Sequence, residues 1–279
     1  MRKISVKKIY DAIYEMVQSS NYQLPSNVKK KITQSANLEK NEMAKLAFQY
    51  IIKNYKLAEK NKTPICQDTG LIVVMLEIGQ EILFTNGDIN ETIQKAVADG
   101  SRDGYLRKSV VSDPFKRKNT NTNTPAIVHY NIVPGDKVKI TIMPKGGGAE
   151  NMSFVKMLPP SVSKVQIEDI VVDWVKQSGT NPCPPIIVGI GIGGNFEHVA
   201  YLAKKALLRR KANTKKEYKN MERKIFDKIN QLGIGPQVPT GGNVTSLAVY
   251  IETAPCHIAS LPLAVNINCH ASRYKEVIL

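Results

Sequence analysis

Pro64-Ile65-Cys66-Gln67-Asp68-Thr69-Gly70 runs straight into Leu71-Ile72-Val73-Val74-Met75-Leu76. The second stretch is an unbroken apolar run preceded by a turn pair, Thr69-Gly70, and this predicts a buried strand. The stretch before Pro64 has a different period. Ile9, Ile13, Met16 and Val17, then Leu46, Phe48, Ile51, Ile52 and Tyr55, recur at helical spacing. Residues 1–62 are therefore read as helical, with Pro25-Ser26-Asn27 as a turn or helix start. The change of period at Thr63-Pro64 sets the expected fold class: α/β (mixed α+β), a helical N-terminal part (1–62) followed by a mixed-sheet region with packed helices (63–279).

The rest of the chain extends this reading. Asp88, with Glu91 three residues on, marks a capping box and a helix that carries Ile93 and Val97. Lys116 to Thr124 is a polar surface loop. Ala126 to Val133 and Lys137 to Met143 read as strands, and Pro134-Gly135-Asp136 between them signals a hairpin. In the second strand Val138, Ile140 and Ile142 alternate with Lys137, Lys139 and Thr141, so one face is expected to be wet. Helices are expected over Ile167 to Gln177, Phe196 to about Arg210, and Lys215 to Leu232. Ile186 to Ile192 reads as a buried strand. Gly233 to Gly242 is a Gly/Pro-rich loop, and Val244 to Ile251 and Ile258 to Ile267 read as two strands. No internal repeat or linker is visible, so residues 1–279 are expected to form one unit.

Composition bounds the function. The chain has 279 residues, 42% hydrophobic and 23% charged, which is globular rather than disordered composition. No apolar run approaches the ~20 residues of a membrane span. The charged start, Met1-Arg2-Lys3-Ile4, is unlike a signal peptide. The formal net charge is +15, and its densest stretch is Lys204 to Lys228, read as two helices with solvated basic faces. A basic nucleic-acid-binding protein is thus the alternative from another class. The excess is mostly Lys rather than Arg, and no recognition motif accompanies it, so neither nucleic acid nor membrane is the expected partner.

Four cysteines are too few for a disulfide scaffold, and none form a CxxC pair. Cys66, Cys183 and Cys269 all fall at the ends of expected elements. They read as inert thiols, as three thiolates able to hold a [4Fe–4S] cluster with one iron open, or, with Cys256 as a fourth, as ligands of a closed electron-transfer cluster. Asp68 is either an acid or base beside such a site or an Asx-turn residue before Thr69-Gly70. Gly146-Gly147-Gly148 offers backbone N–H groups to an anion or is simply a turn. His257 is a lone histidine that could meet a substrate oxygen or a loop carbonyl. Gly189-Ile190-Gly191-Ile192-Gly193-Gly194 matches GxGxxG, yet no second strand with an acidic residue follows about 20 residues on. Dinucleotide binding is therefore rejected. The glycines are read as allowing close helix–strand packing or backbone approach to a cofactor.

Five segments, in order, resemble the alpha subunit, or N-terminal half, of class I iron–sulfur fumarate hydratases and L-tartrate dehydratases. They are Pro64 to Gly70, Gly104 to Val111, Lys145 to Asn151, Asn181 to Leu208 beginning Asn181-Pro182-Cys183-Pro184-Pro185, and His257 to Arg273. The resemblance implies that Cys66, Cys183 and Cys269 hold a [4Fe–4S] cluster, with Cys256 outside the ligand set. It implies a catalytic Asp68 and substrate contacts from Gln67, Arg107, Gly147, Gly148 and His257, with Arg102 competing for the arginine role. It further implies a hydro-lyase converting fumarate to (S)-malate, or tartrate to oxaloacetate. The beta subunit, in an α2β2 assembly, would be separate and would carry the remaining catalytic groups. An oxygen-sensitive cluster suggests a reducing, cytoplasmic setting.

Overall fold

The computed structural model describes residues 1–279. In chain order its elements are β1 (Arg2–Ser5), α1 (Val6–Tyr22), α2 (Ser26–Leu38), α3 (Glu42–Asn61), β2 (Leu71–Gly79), β3 (Ile82–Thr85) and α4 (Ile89–Asp103). Then come β4 (Ile127–Val133), β5 (Val138–Lys145), α5 (Gly147–Glu150), β6 (Phe154–Leu158), α6 (Lys164–Ser178) and β7 (Ile186–Gly194). The last are α7 (Phe196–Ala206), α8 (Lys216–Asn230), β8 (Ser246–Cys256), β9 (Leu261–Asn268) and β10 (Lys275–Ile278). The mixed α/β class and the helical N-terminal part are as the periodicity predicts. The chain forms two compact units: Met1–Pro25 with Lys53–Gly147 and Arg273–Leu279, and Ser26–Ile52 with Gly148–Ser272.

The first unit is built on the sheet β10-β5-β2-β4. Ile72, Val74, Leu76 and Ile78 of β2 share a face with Val138, Ile140 and Ile142 of β5. This face packs on Ile9, Ile13 and Val17 of α1 and on Ile93 and Val97 of α4. The helical spacing of the α1 residues and the period of two in the strands bring these side chains together. Asp88 caps α4 as expected, its Oδ1 accepting the Glu91 N–H at 2.9 Å.

The expected hairpin between β4 and β5 does not form. β2 lies between them, parallel to β4 and antiparallel to β5. The end of β2 threads under the connection: Gly79 N donates to Lys137 O at 2.8 Å and Gln80 N to Val133 O at 2.8 Å. A Cβ on Gly79 would lie 2.3 Å from Gly135 O, so only glycine fits there. Pro134-Gly135-Asp136 is a bridge over a third strand rather than a two-strand turn. The wet face expected on β5 is also corrected. β5 is an interior strand between β10 and β2, and Thr141 is 5% exposed. Lys139 remains partly solvated between Glu77 and Glu276.

The second unit is built on the sheet β6-β9-β7-β8, with β7 parallel to β8 and antiparallel to β9. Ile186, Val188 and Ile190 of β7 and Leu263, Val265 and Ile267 of β9 face α6 and α8. There they meet Ile167, Val171 and Val175 and then Met221, Ile225 and Ile229. α7 covers the opposite face through Val199 and Ala203. On that side β7 presents Gly189 and Gly191. A Cβ on either would sit 2.2 Å from a backbone oxygen of α7, Ala203 O or Val199 O. The GxGxxG match therefore lies inside a strand and serves helix–strand packing, one of the two readings the sequence left open.

Each unit thus repeats one connection. A helix precedes a central strand, a crossover leads to a parallel neighbour on one side, and the chain then crosses the strand's end to an antiparallel neighbour on the other. α1-β2-α4-β4-β5 and α6-β7-α8-β8-β9 follow it alike. No residue repeat accompanies this topology, which is why the sequence showed none.

Candidate functional site

The repeated topology places most of the chemistry-bearing residues. In the first unit, Cys66 to Gly70 leads into β2 where β5 ends, because Leu71 pairs with Lys145. In the second, Cys183 lies just ahead of β7 where β9 ends, because Ile187 pairs with Asn268. Cys269 follows Asn268 directly. Each motif therefore sits at the entry of a central strand, beside the exit of its antiparallel neighbour. None of the four cysteines forms a disulfide; Cys66 and Cys269 are half-buried and Cys183 is exposed.

In the first unit the loop is held by its backbone. Ile65 N donates to Asn21 O at 2.9 Å, and Asn54 Nδ2 donates to Ile65 O at 2.8 Å, which fixes the residue before Cys66. The Asp68 carboxylate joins two segments. Oδ1 accepts Gly70 N at 3.0 Å, an Asx turn, and Oδ2 accepts Gly147 N at 2.8 Å from 79 residues away. A Cβ on Gly146 would approach Oδ2 to 3.0 Å, so glycine there keeps room for the carboxylate. Gly70 has φ 74°, and a Cβ on it would lie 2.5 Å from Lys145 O. The Gly147 amide is thus engaged by Asp68. Gly148 falls in the second unit, and Gln67 is exposed.

Thr69 Oγ1 donates to Arg107 O at 2.9 Å, and Asn123 Nδ2 donates to the same carbonyl at 3.0 Å. These bonds pin the Arg107 backbone beside the Asp68 loop and leave its side chain exposed. Arg102 lies on the exposed surface of α4, where its guanidinium binds Asp99 at 2.8 Å and Asp103 at 2.8 Å. Of the two arginines, only Arg107 is tied to the loop.

Three residues of this region were not singled out as functional from the sequence. Arg273 is 3% exposed. Its Nη2 donates to Asp68 O at 2.6 Å, and its buried Nε has no partner. Gln237 and His270 hold the second unit's end of the chemistry. Gln237 N and Nε2 both donate to Pro184 O, at 2.8 and 3.0 Å, and Nε2 lies 2.9 Å from His270 Nδ1. The signals were present but weak. Arg273 ends the last resembling segment, His270 follows Cys269, and Gln237 lies in the Gly/Pro-rich loop.

His257 is placed elsewhere. It lies in the connection from β8 to β9, which crosses the C-terminal end of β7. Cys183 is at the N-terminal end of β7. A nine-residue strand at about 3.3 Å per residue separates the two ends by about 26 Å. Within the second unit, His257 is therefore not brought to Cys183 and Cys269. Its Nδ1 accepts Ala259 N at 3.1 Å, and Cys256 shares this far end, its Sγ donating to Ser260 O at 3.4 Å.

The basic stretch is less solvated than expected. Lys204 pairs with Glu150, Arg209 with Glu222 at 2.8 Å and Lys228 with Asp169 at 2.8 Å. The short α5 is anchored by this chemistry, since Asn266 Nδ2 also donates to Glu150 at 3.0 Å. No helix is long and apolar enough to cross a membrane.

The candidate ligands are cysteine thiols at strand ends, none of them in a disulfide, and thiolate is the donor type that an iron–sulfur cluster takes. A buried guanidinium whose hydrogen bond goes to a neutral carbonyl and whose Nε is orphaned calls for an anion beside it. Within the first unit, a Cys66 thiolate carrying a cluster, two residues before Asp68, would be such an anion.

In each unit of this mixed α/β chain, thiol-bearing segments lie at strand ends, and in the first unit a carboxylate and a glycine-rich turn lie beside them. Residues 10–278 match the family described as fumarate hydratase (Fumerase). A Methanocaldococcus jannaschii protein named provisionally as L(+)-tartrate dehydratase subunit alpha is 40% identical over 274 residues, 95% of each chain. The proteins named L(+)-tartrate dehydratase subunit alpha in Escherichia coli K12 and Shigella sonnei are each 30% identical over 277 residues, 96% of this chain and 90% of theirs. The chain belongs to the fumarate hydratase family, whose members are hydro-lyases.

Proposed function

We propose that this chain is the cluster-bearing alpha subunit of a hydro-lyase that reversibly hydrates fumarate to (S)-malate. The observation that carries the reading is the placement of Cys66 and Cys183 at the entries of the two central strands, with Cys269 beside the second. These three would ligate a [4Fe–4S] cluster, and Cys256 would not. When bound, the cluster supplies a Lewis-acidic iron that polarises a substrate oxygen.

The chain's own groups do the rest of its share. Asp68, held by two amide N–H groups, keeps lone pairs free to take or return a proton at its carboxylate. Arg107 supplies an exposed guanidinium next to that loop for a substrate carboxylate. Gln67 and the Gly147-Gly148 segment would complete the contact. His257, at the far end of its sheet, does not join Cys183 and Cys269 from within the second unit.

The relatives' names favour a second reading, dehydration of L-tartrate to oxaloacetate. Their designation as alpha subunits supports a separate beta subunit, which we place in an α2β2 complex in the cytoplasm. Two measurements test this. Anaerobic reconstitution should give four irons per chain, lost in Cys66→Ser, Cys183→Ser and Cys269→Ser and kept in Cys256→Ser. Retention of iron by all variants would defeat the ligand assignment. With the beta subunit added, the ratio of kcat/KM for fumarate and tartrate decides the substrate.

A further inference from the structure

We propose that Gln237 is a positioning residue that clamps the Cys183 loop to the Cys269–His270 segment and fixes His270 with its ring proton on Nε2. The inference rests on the reading of Cys183 and Cys269 as ligands, and every contact it uses lies within the second unit.

Gln237 adopts φ 64°, the left-handed region that is strained for a residue with a Cβ. Such a conformation persists only where its surroundings over-determine it. Here they do so through one carbonyl. The backbone N–H and the side-chain Nε2 of Gln237 both donate to Pro184 O, at 2.8 and 3.0 Å. That carbonyl belongs to the residue after Cys183. Cys183 is itself left-handed, at φ 53°, so the loop that presents the thiol is held in an unusual shape.

The orientation of the Gln237 amide follows from this contact. Its oxygen placed at 3.0 Å from Pro184 O would set two acceptors against each other, so the group there is NH2. The second hydrogen of Nε2 faces His270 Nδ1 at 2.9 Å. Nδ1 must then accept, and in the neutral ring the proton resides on Nε2. The Cys183 carbonyl, 3.2 Å from Nδ1, is served by the backbone N–H of His270 at 3.3 Å. One glutamine thus ties both thiol-bearing segments together and sets the tautomer of the His270 ring, with its proton on Nε2. Outer partners of this kind typically change metal affinity by about 10- to 100-fold when removed.

The test uses the full chain, at one pH, with Gln237→Met and Gln237→Glu. Ring nitrogen shifts of 15N-labelled His270 in the metal-free protein should show an unprotonated Nδ1 in the wild type. In Gln237→Met part of the proton should move to Nδ1, toward Cys183 O. In the anaerobically reconstituted protein, both variants should keep the wild-type far-UV spectrum and lose iron to a chelator roughly 10- to 100-fold faster. A protonated Nδ1 in the wild type would overturn the proposal, and that measurement needs no variant to fold. So would four stably held irons in both variants. If the wild type takes up no iron, the ligand reading fails, and the nitrogen shifts alone then decide for or against the clamp.

Discussion

Asp68 Oδ2 accepts the backbone N–H of Gly147 at 2.8 Å, so one carboxylate joins the segment that enters β2 to the segment that leaves β5. Its other oxygen closes the turn to Gly70 at 3.0 Å. The residue read from the sequence as either a catalytic group or a turn former is thus a turn former, and its carboxylate retains lone pairs for chemistry.

Asp68→Asn separates these roles. Whichever way the amide turns, one of its N–H groups meets a backbone N–H, at Gly70 or at Gly147. The variant should lose about 1–3 kcal/mol of stability in denaturant titration. With the beta subunit present, its kcat should fall by roughly 100-fold or more, as expected for loss of a general acid–base group. A wild-type kcat would remove Asp68 from the proton transfers.

Arg273→Met probes the buried guanidinium. Replacing a buried charge by a hydrophobe removes its desolvation cost, which offsets the lost hydrogen bond to Asp68 O. The metal-free variant should therefore melt within a few degrees of the wild type. The reconstituted wild type should gain Tm over its metal-free form, and the variant should gain much less, because the anion has lost its counter-charge. Equal gains in both would show that Arg273 does not face the cluster.

Gly189→Ala addresses the contact between β7 and α7. The new Cβ would press on Ala203 O, a backbone atom that cannot rotate away. Overpacking of this kind costs about 1–3 kcal/mol, a fall in Tm of several degrees. An unchanged Tm would contradict the packing role of the glycine.

Tyr10 and Asp99 set a pH window for the pairing of α1 with α4. Tyr10 Oη donates to Asp99 at 2.8 Å. Hydrogen bonds from Lys95, and then from Tyr10, hold the Asp99 carboxyl down to about 2 from its ordinary 3.8. Burial, and then the bond to Asp99, push Tyr10 up to about 12. The contribution from Asp99 is present above about pH 4 and is lost as pH falls through 2. That from Tyr10 is present below pH 10 and is lost as pH rises through 12. Asp99→Asn should therefore flatten the acid limb of a stability–pH curve, and Tyr10→Phe the alkaline limb. A curve unchanged at both ends would show the pair to be inert.

Local signals were legible wherever the deciding interaction spans a few residues. The spacing of Ile9, Ile13 and Val17 predicted α1, the Asp88 side chain capped α4, and the apolar runs before Gly79 and Gly194 were strands. The five ordered segments pointed to the family, because they quote side chains directly. Four short strands escaped notice: β1, β3, β6 and β10, each of four or five residues. Runs of that length carry almost no period and form only because a longer neighbour offers unpaired N–H and C=O groups.

Tertiary structure alone decided which strands are neighbours. Pro134-Gly135-Asp136 has the composition of a hairpin, and nothing local reveals that β2 slides beneath it. The hydrogen bonds that draw β2 there come from residues more than fifty positions away. The same holds at the candidate site. The sequence named Cys66, Asp68, Cys183 and Cys269. It could not show that Arg273 reaches Asp68, that Gln237 meets His270, or that His257 lies at the far end of its sheet, because a side chain's partner is set by strand order and register. Residue identity determined the chemistry on offer, and the long-range pairing of strands determined which of those residues meet.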